Sequence, residues 1–268
     1  MGKRIIIYGP SKIGISTFLA ENESSLVIDT FNSLDHLKVN SVPLTPRKDK
    51  EGNVLDLTKL EIIHSIIDRL IEVNTATPDK NSRDTLVIDH LLGLERIIYR
   101  HVCDLNKIED IEYLNYGKGH HLAFLELQKL LSKIDLLARH PVKAMNVIIA
   151  AHSTHETYTT LYQENMARSV LSTTIKPPKE NVAEFLKVWA DGLYYADDFY
   201  SVTGGYFESK SLELLSEKNT MIFGRARPNF DAGTRISGPN QMKMKWEVFS
   251  KELGLIEQPT DQEKQTDH

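Results

Sequence analysis

Within its first twenty residues the chain passes from an unbroken β-branched run, through a glycine-bracketed turn, into the start of a helix. Residues 3–8 read KRIIIY, residues 9–17 read GPSKIGIST, and residues 16–20 read STFLA. A run such as Ile5-Ile6-Ile7 has no polar face. It predicts a strand buried on both sides, and such strands belong to parallel sheets covered by helices. Strand, turn and helix in that order commit the chain to an α/β fold with a mostly parallel sheet.

The turn has the spacing of a phosphate-binding loop: glycine, four residues, then glycine, lysine and a hydroxyl residue. Gly9, Pro10, Ser11, Lys12, Ile13, Gly14, Ile15, Ser16 and Thr17 fill that span, but the lysine position holds Ile15. In such loops the backbone amides and the helix N-terminus cradle the phosphates, and the lysine reaches the terminal ones. An isoleucine supplies no cation. Lys12, inside the loop, is a candidate substitute. The plainer alternative is a strand–helix turn that happens to contain two glycines.

Strands and helices alternate along most of the remaining length. Apolar runs at 25–29 (SLVID), 85–89 (TLVID) and 144–151 (AMNVIIAA) predict three further strands. Helices are expected over 58–73, 91–104 and 121–139. Ile62, Ile63, Ile66, Ile67, Leu70 and Ile71 form the core face of the first. Leu122, Leu125, Leu130, Ile134 and Leu137 turn the third toward the sheet. A short helix at 181–189 leads into 192–196, and residues 199–209 look like a hairpin turning at Gly204-Gly205. Trp246, Phe249 and Leu253 mark a last helix. The expected organisation is one domain over 1–254 and a polar, disordered tail over 255–268.

At 268 residues, with 41% hydrophobic and 26% charged content, the chain has the composition of a globular protein rather than a disordered one. Its one cysteine, Cys103, cannot close an internal disulfide, and no secretory leader is visible, so a cytoplasmic setting is expected. No apolar run approaches the ~18 residues of a membrane span, and no membrane partner is expected. A net charge of −5 gives nucleic-acid binding no global support, although a local basic stripe can act within an acidic protein.

Asp89 ends the run Leu86-Val87-Ile88, the form of an acid that orients Mg²⁺ while the Ser16 hydroxyl takes a direct place on the ion. It is equally placed to cap the following helix. His152 ends another apolar run and is either a sensor of the terminal phosphate or a solvated loop histidine. His101 with Cys103, and His152 with His155, lack zinc-ligand spacing, so no zinc is expected. Glu95 is expected on a helix surface, and His120-His121 at the exposed start of a helix.

Taken in order, the stretches KRIIIYGPSKIG, LVIDTFNSLDHL, TLVIDHLLGLERIIYRHV, NYGKGHH, VIIAAHS, FLKVWADGLYYADD and RARPNFDAGTR resemble the phage-type family of RecA-like P-loop ATPases associated with single-strand annealing and recombination. The resemblance runs from Lys3 to about Leu253. It implies a RecA-like core, ATP and Mg²⁺ as ligands, and a homo-oligomer. It also implies single-stranded DNA or a phage DNA-processing protein as partner, in a host-cell cytoplasm. Family members carry lysine where this chain has Ile15, and a glutamate that polarises the attacking water where it has Phe31.

Two catalytic groups are therefore missing, and the expected protein is a hydrolysis-deficient member that binds ATP weakly. An active, rewired ATPase and a protein-interaction module without nucleotide or DNA binding are the rivals. By the same resemblance Arg225, Arg227 and Arg235 are candidate trans-acting arginines at a subunit interface. Residues 153–179 occupy the place of a DNA-contacting loop, with Tyr158, Tyr162, Arg168, Lys176 and Lys179 available for stacking and phosphate contact. A partner-ordered surface loop is the alternative for that stretch.

Overall fold

Every residue of strand β1 (Arg4–Gly9) is buried, because helices cover both faces of the sheet in which it lies at the centre. The computed structural model describes residues 1–45, 57–159, 166–198 and 220–255. The other strands among these are β2 (Ser25–Asp29), β3 (Ser41–Val42), β4 (Thr85–Asp89), β5 (Asn146–Tyr158) and β6 (Met166–Leu171), followed by β7 (Gly192–Asp198), β8 (Thr220–Phe223), β9 (Gly233–Thr234) and β10 (Gln241–Lys243). The helices are α1 (Ile15–Ala20), α2 (Lys59–Ala76), α3 (Leu91–Asn106), α4 (Lys118–Ala138), α5 (Val182–Trp189) and α6 (Trp246–Glu252).

The strand order is β10-β8-β7-β1-β5-β4-β2-β3. Pairing is parallel from β7 to β3, and antiparallel where β8, β9 and β10 extend the β7 side. One strand, β5, thus separates the strand of the glycine loop from the strand of Asp89. Strand alternation divides the core in two. Ile6 and Tyr8 face a layer built by α2, α3, α4 and α5, whereas Ile5 and Ile7 face α1 and α6. Helix α2 starts at a reciprocal cap in which Thr58 and Glu61 satisfy each other's backbone amides.

Several expectations need correction. Leu125 is 37% exposed and does not face the sheet, whereas Leu130, Ile134 and Leu137 are fully buried. Glu95 is not on the surface. It is completely buried, and its carboxylate accepts the backbone N–H groups of Thr174 and Ile175 and the Thr174 hydroxyl. His120 is half-buried, with Nδ1 in contact with the Tyr99 hydroxyl and Nε2 2.9 Å from Glu112. Residues 153–158 continue β5 beyond the sheet and pair with β6 as an antiparallel ribbon, Ser153 opposite Leu171 and Tyr158 opposite Met166.

The proposed tail boundary is also too early: Leu255 is buried, and its carbonyl accepts from Asn146. Residues 199–209 and 256–268 lie outside the described residues, so the expected hairpin turn and the rest of the tail do too. Strands β7 and β8 on either side of that turn do pair antiparallel.

Arg4 ties the layers together at the start of β1. Its guanidinium meets Asp191 and Asp135 at 2.8 Å each and lies 5.4 Å over the Trp189 ring. The side chain is only 11% exposed, so removing it leaves two carboxylates without their counter-ion in a poorly hydrated place. Arg4→Ala is therefore expected to lower unfolding free energy by about 3 kcal/mol. The figure sits at the low end for a buried pair because the carboxylates keep 29% and 27% exposure. Urea denaturation measures it, and a loss within the range of ordinary surface substitutions would contradict the role assigned to Arg4.

Candidate nucleotide site

The glycine loop leaves β1 at the carboxyl edge of the sheet, bends back through Lys12 at φ 67° and enters α1 through Gly14 at φ 107°. A side chain at position 14 would be strained, so the motif glycine is required by backbone conformation. The amide of Phe18 closes the first helical bond onto Gly14. Pro10, Lys12, Ile13, Gly14, Ile15, Ser16 and Thr17 share one cavity of about 210 Å³ with His90 and His152. Gly9 precedes it at the end of β1, and Ser11 is exposed at the turn.

Ile15 stands where a lysine would present its ammonium. It is 8% exposed and belongs to the apolar cluster of Ile13, Phe18, Leu19 and Val27 beneath the loop. Lys12 is the loop's exposed cation. The other polar side chains lining the cavity are the hydroxyls of Ser16 and Thr17 and the rings of His90 and His152.

Asp29 and Asp89 are register partners at the ends of β2 and β4. The Asp29 carboxylate accepts the amides of Phe31 and Leu34, which fixes the following turn. Asp89 lies beside the Ser16 hydroxyl and keeps Oδ2 buried without a partner. Burial pushes the Asp89 carboxyl above its ordinary range, the Ser16 hydrogen bond opposes the rise, and neighbouring Asp29 adds to it. An orphaned carboxylate oxygen beside a hydroxyl fits a divalent cation, so Ser16 and Asp89 are the residues that would hold Mg²⁺. The capping alternative for Asp89 does not hold: the cap of α3 is His90, whose Nδ1 accepts the Leu92 amide.

His90 is the residue that motif reading missed. Since Nδ1 accepts, the proton lies on Nε2, which is buried and has no partner. Its ring lies 3.8 Å from that of His152, and His152 is the register partner of Gly9. The pair therefore closes one wall of the loop cavity. Only its position directly after Asp89 could have flagged His90 in the sequence.

The other candidates do not converge here. Arg227 lies 4.6 Å over the Phe223 ring and binds Gln241, while Arg225 is exposed on the same segment. Arg235 donates to the carbonyls of Val188 and Ala190 at the start of β7, the sheet edge away from the loop. On the ribbon, Arg168 is paired with Asp231 at 2.8 Å and the Tyr158 hydroxyl binds the Pro228 carbonyl. Lys176 and Lys179 are exposed beyond it, and Tyr162 lies outside the described residues. His101 contacts the Thr58 hydroxyl, and Cys103 is buried. Among the described residues no helix is long and apolar enough to cross a membrane.

The AAA_24 family, an AAA domain, matches residues 1–236. No curated protein matches the sequence. Among solved structures the chain is similar to the RadB recombinase, with 14% identity and a TM-score of 0.39 over 83% of this chain and 80% of that one. A KaiC-like protein from Pyrococcus horikoshii gives 12% and 0.34 over 87% and 89%. The flagellar accessory protein FlaH from Methanocaldococcus jannaschii gives 12% and 0.30 over 83% and 77%. Nothing functional follows from likenesses of this size. The fold is the α/β fold of an AAA domain, a mostly parallel sheet flanked by helices.

The histidine pair has a measurable consequence. Burial, with His152 beside it, pushes the pKa of His90 from 6.5 down to about 3. A depressed value means that the folded state resists protonation, so stability is fully present above pH 6.5 and is lost as pH falls toward about 3. His90→Asn keeps a capping oxygen for Leu92 and removes the titrating ring. Its melting temperature is expected to fall less steeply than that of the parent across this window. Parallel acid slopes for the two proteins would contradict the assignment.

Proposed function

The chain belongs to the AAA_24 family of AAA domains, and on that premise we propose that it binds a nucleoside triphosphate weakly with Mg²⁺, does not hydrolyse it, and serves DNA recombination or replication as a binding scaffold. The observation that carries this reading is the burial of Ile15 in an apolar cluster at the site of the phosphate-binding cation. The loop amides and α1 remain in place to cradle phosphates, and Ser16 and Asp89 remain in place for the ion, which would neutralise phosphate charge when bound. What is lost is charge and a base. A charge-assisted contact to phosphate contributes about 1.5–3 kcal/mol, a roughly ten- to hundredfold weakening of binding when removed.

Phe31 at the water-activating position offers no proton acceptor, and such a loss typically costs about 10²–10⁴ in rate. His90 cannot take over as base, because its free nitrogen already carries the proton and its Nδ1 is held by Leu92. A homo-oligomer, a phage setting and single-stranded DNA as partner follow from the family resemblance and belong to the same proposal. Arg227 or Arg235 as a trans-acting arginine at a subunit interface belongs to the same proposal. Lys176 and Lys179, exposed after the ribbon, are its cations for DNA phosphates, whereas Arg168 is already engaged by Asp231.

Steady-state turnover of ATP is expected to stay at background with or without single-stranded DNA. Ile15→Lys should tighten ATP–Mg²⁺ binding about ten- to hundredfold by calorimetry, and turnover should appear only when Phe31→Glu is added. A DNA-stimulated rate near ~1 s⁻¹ in the parent protein, within the ordinary range for enzymes and abolished by Asp89→Ala, would sink the hydrolysis-deficient reading. No gain of affinity in Ile15→Lys would show that the loop has lost its phosphate cradle.

A further inference from the structure

The residue that replaces the expected base opens onto a second cavity. Phe31 is 39% exposed and lines a cleft of about 470 Å³ between the turn after β2, the start of α2 and the face of α3 from Gly93 to Asp104. None of the residues lining it lines the loop cavity. The Arg96 guanidinium lies 5.6 Å from the Phe31 ring centroid, and Lys59 and Arg100 stand on the same cleft. Arg100 is paired with Asp104 at 2.9 Å, in an exposed geometry that an anion can reopen. Among the described residues Lys59 and Arg96 have no carboxylate partner. Three cations therefore face one acid in a protein whose net charge is −5.

The aromatic platform is held rigidly. Asp29 accepts the Phe31 amide at 3.1 Å, and the Thr30 hydroxyl is bonded to the backbone of both Asp89 and His90. Helix α3 can approach this turn only because residue 93 is glycine: a Cβ there would lie 2.1 Å from the Thr30 hydroxyl oxygen and 3.1 Å from the Phe31 ring. A fixed aromatic ring beside a guanidinium, in a cleft with excess positive charge, is complementary to a flat π-system carrying a phosphate. The volume lies within the usual range for small-molecule sites.

We propose that this cleft binds a nucleoside monophosphate unit, its base stacked on Phe31 and its phosphate held by Lys59, Arg96 and Arg100, supplied either as a free nucleotide or as one residue of single-stranded DNA. On this assignment the position that lost a catalytic carboxylate gained a binding surface. The proposal stands apart from the phosphate-binding loop, whose failure would show separately as absent ATP–Mg²⁺ binding.

The test titrates the full chain with deoxythymidine monophosphate by calorimetry and with a fluorescein-labelled oligothymidylate by anisotropy. Phe31→Ala and Arg96→Ala should each weaken binding of whichever probe binds by about tenfold, the scale of one lost stacking contact, while Phe31→Trp retains it. Binding of the mononucleotide, with competition against the oligonucleotide, would identify the free nucleotide as the source. Binding of the oligonucleotide alone would identify the strand. Arg96 is exposed on α3, so its variant keeps the test valid if Phe31→Ala fails to fold, which a thermal melt reveals. The proposal is overturned if neither probe binds the parent protein, or if both bind it and the folded variants equally.

Discussion

The structure depends on a single strand that has no polar face. Because β1 is buried on both sides and paired on both edges, by β5 and β7, it can lie only at the middle of a sheet that helices cover on both faces. Its exit point is then fixed at the carboxyl edge of the sheet, and the glycine loop must form there. The same edge gathers the ends of β2, β4 and β5, which brings Asp29, Asp89 and His152 beside the loop from distant parts of the chain. A parallel sheet generates such convergence whenever its strands end together.

A second layer of constraint joins those strand ends. The Thr30 hydroxyl bonds the backbone on both sides of the Asp89–His90 junction, the Thr30 amide adds a bond to the Asp89 carbonyl, and Asp29 orders the turn through Phe31 and Leu34. Position 31 therefore follows directly on a residue pinned to the Asp89–His90 junction, while its side chain opens on the cleft beside α3 and not on the loop cavity. Glu95 extends the connection in the other direction, since its buried carboxylate fastens the segment after β6 to the first half of α3. The ribbon and the loop cavity are thus attached to one helix.

How much of this was legible depended on whether a residue's partner was near in sequence or implied by period. Ile5 to Ile7, and the stripe of α2, announce their burial through pattern alone. The α4 pattern placed Leu130, Ile134 and Leu137 correctly and failed at Leu125, because an apolar residue at helical spacing need not face the core. Glu95 was illegible for a different reason. Its partners are backbone amides 79 and 80 residues later, and no side-chain pattern records an amide. The β5–β6 ribbon escaped notice because residues 153–158 lie mostly exposed beyond the sheet, so neither face needs apolar residues. His90 carried no motif at all. Only the fold reveals that it shares a wall with His152.

The loop cavity finally raises a question of charge that geometry alone does not answer. Asp89 lies beside Ser16 with Asp29 as its register partner, two neutral imidazoles line the cavity wall, and its lysine position is apolar. A triphosphate approaching such a site meets a negative field with only Lys12, the loop amides and the N-terminal end of α1 to oppose it. In a loop with its lysine, the protein itself cancels part of the phosphate charge. Here Ser16 and Asp89, whose Oδ2 has no partner, are the residues that would hold a cation able to supply that cancellation. On the proposed reading, nucleotide affinity would depend on divalent cation more than in a loop that keeps its own cation. Under the proposed reading, Ser16 and Asp89 keep a place for the cation while the lysine position has joined the apolar core.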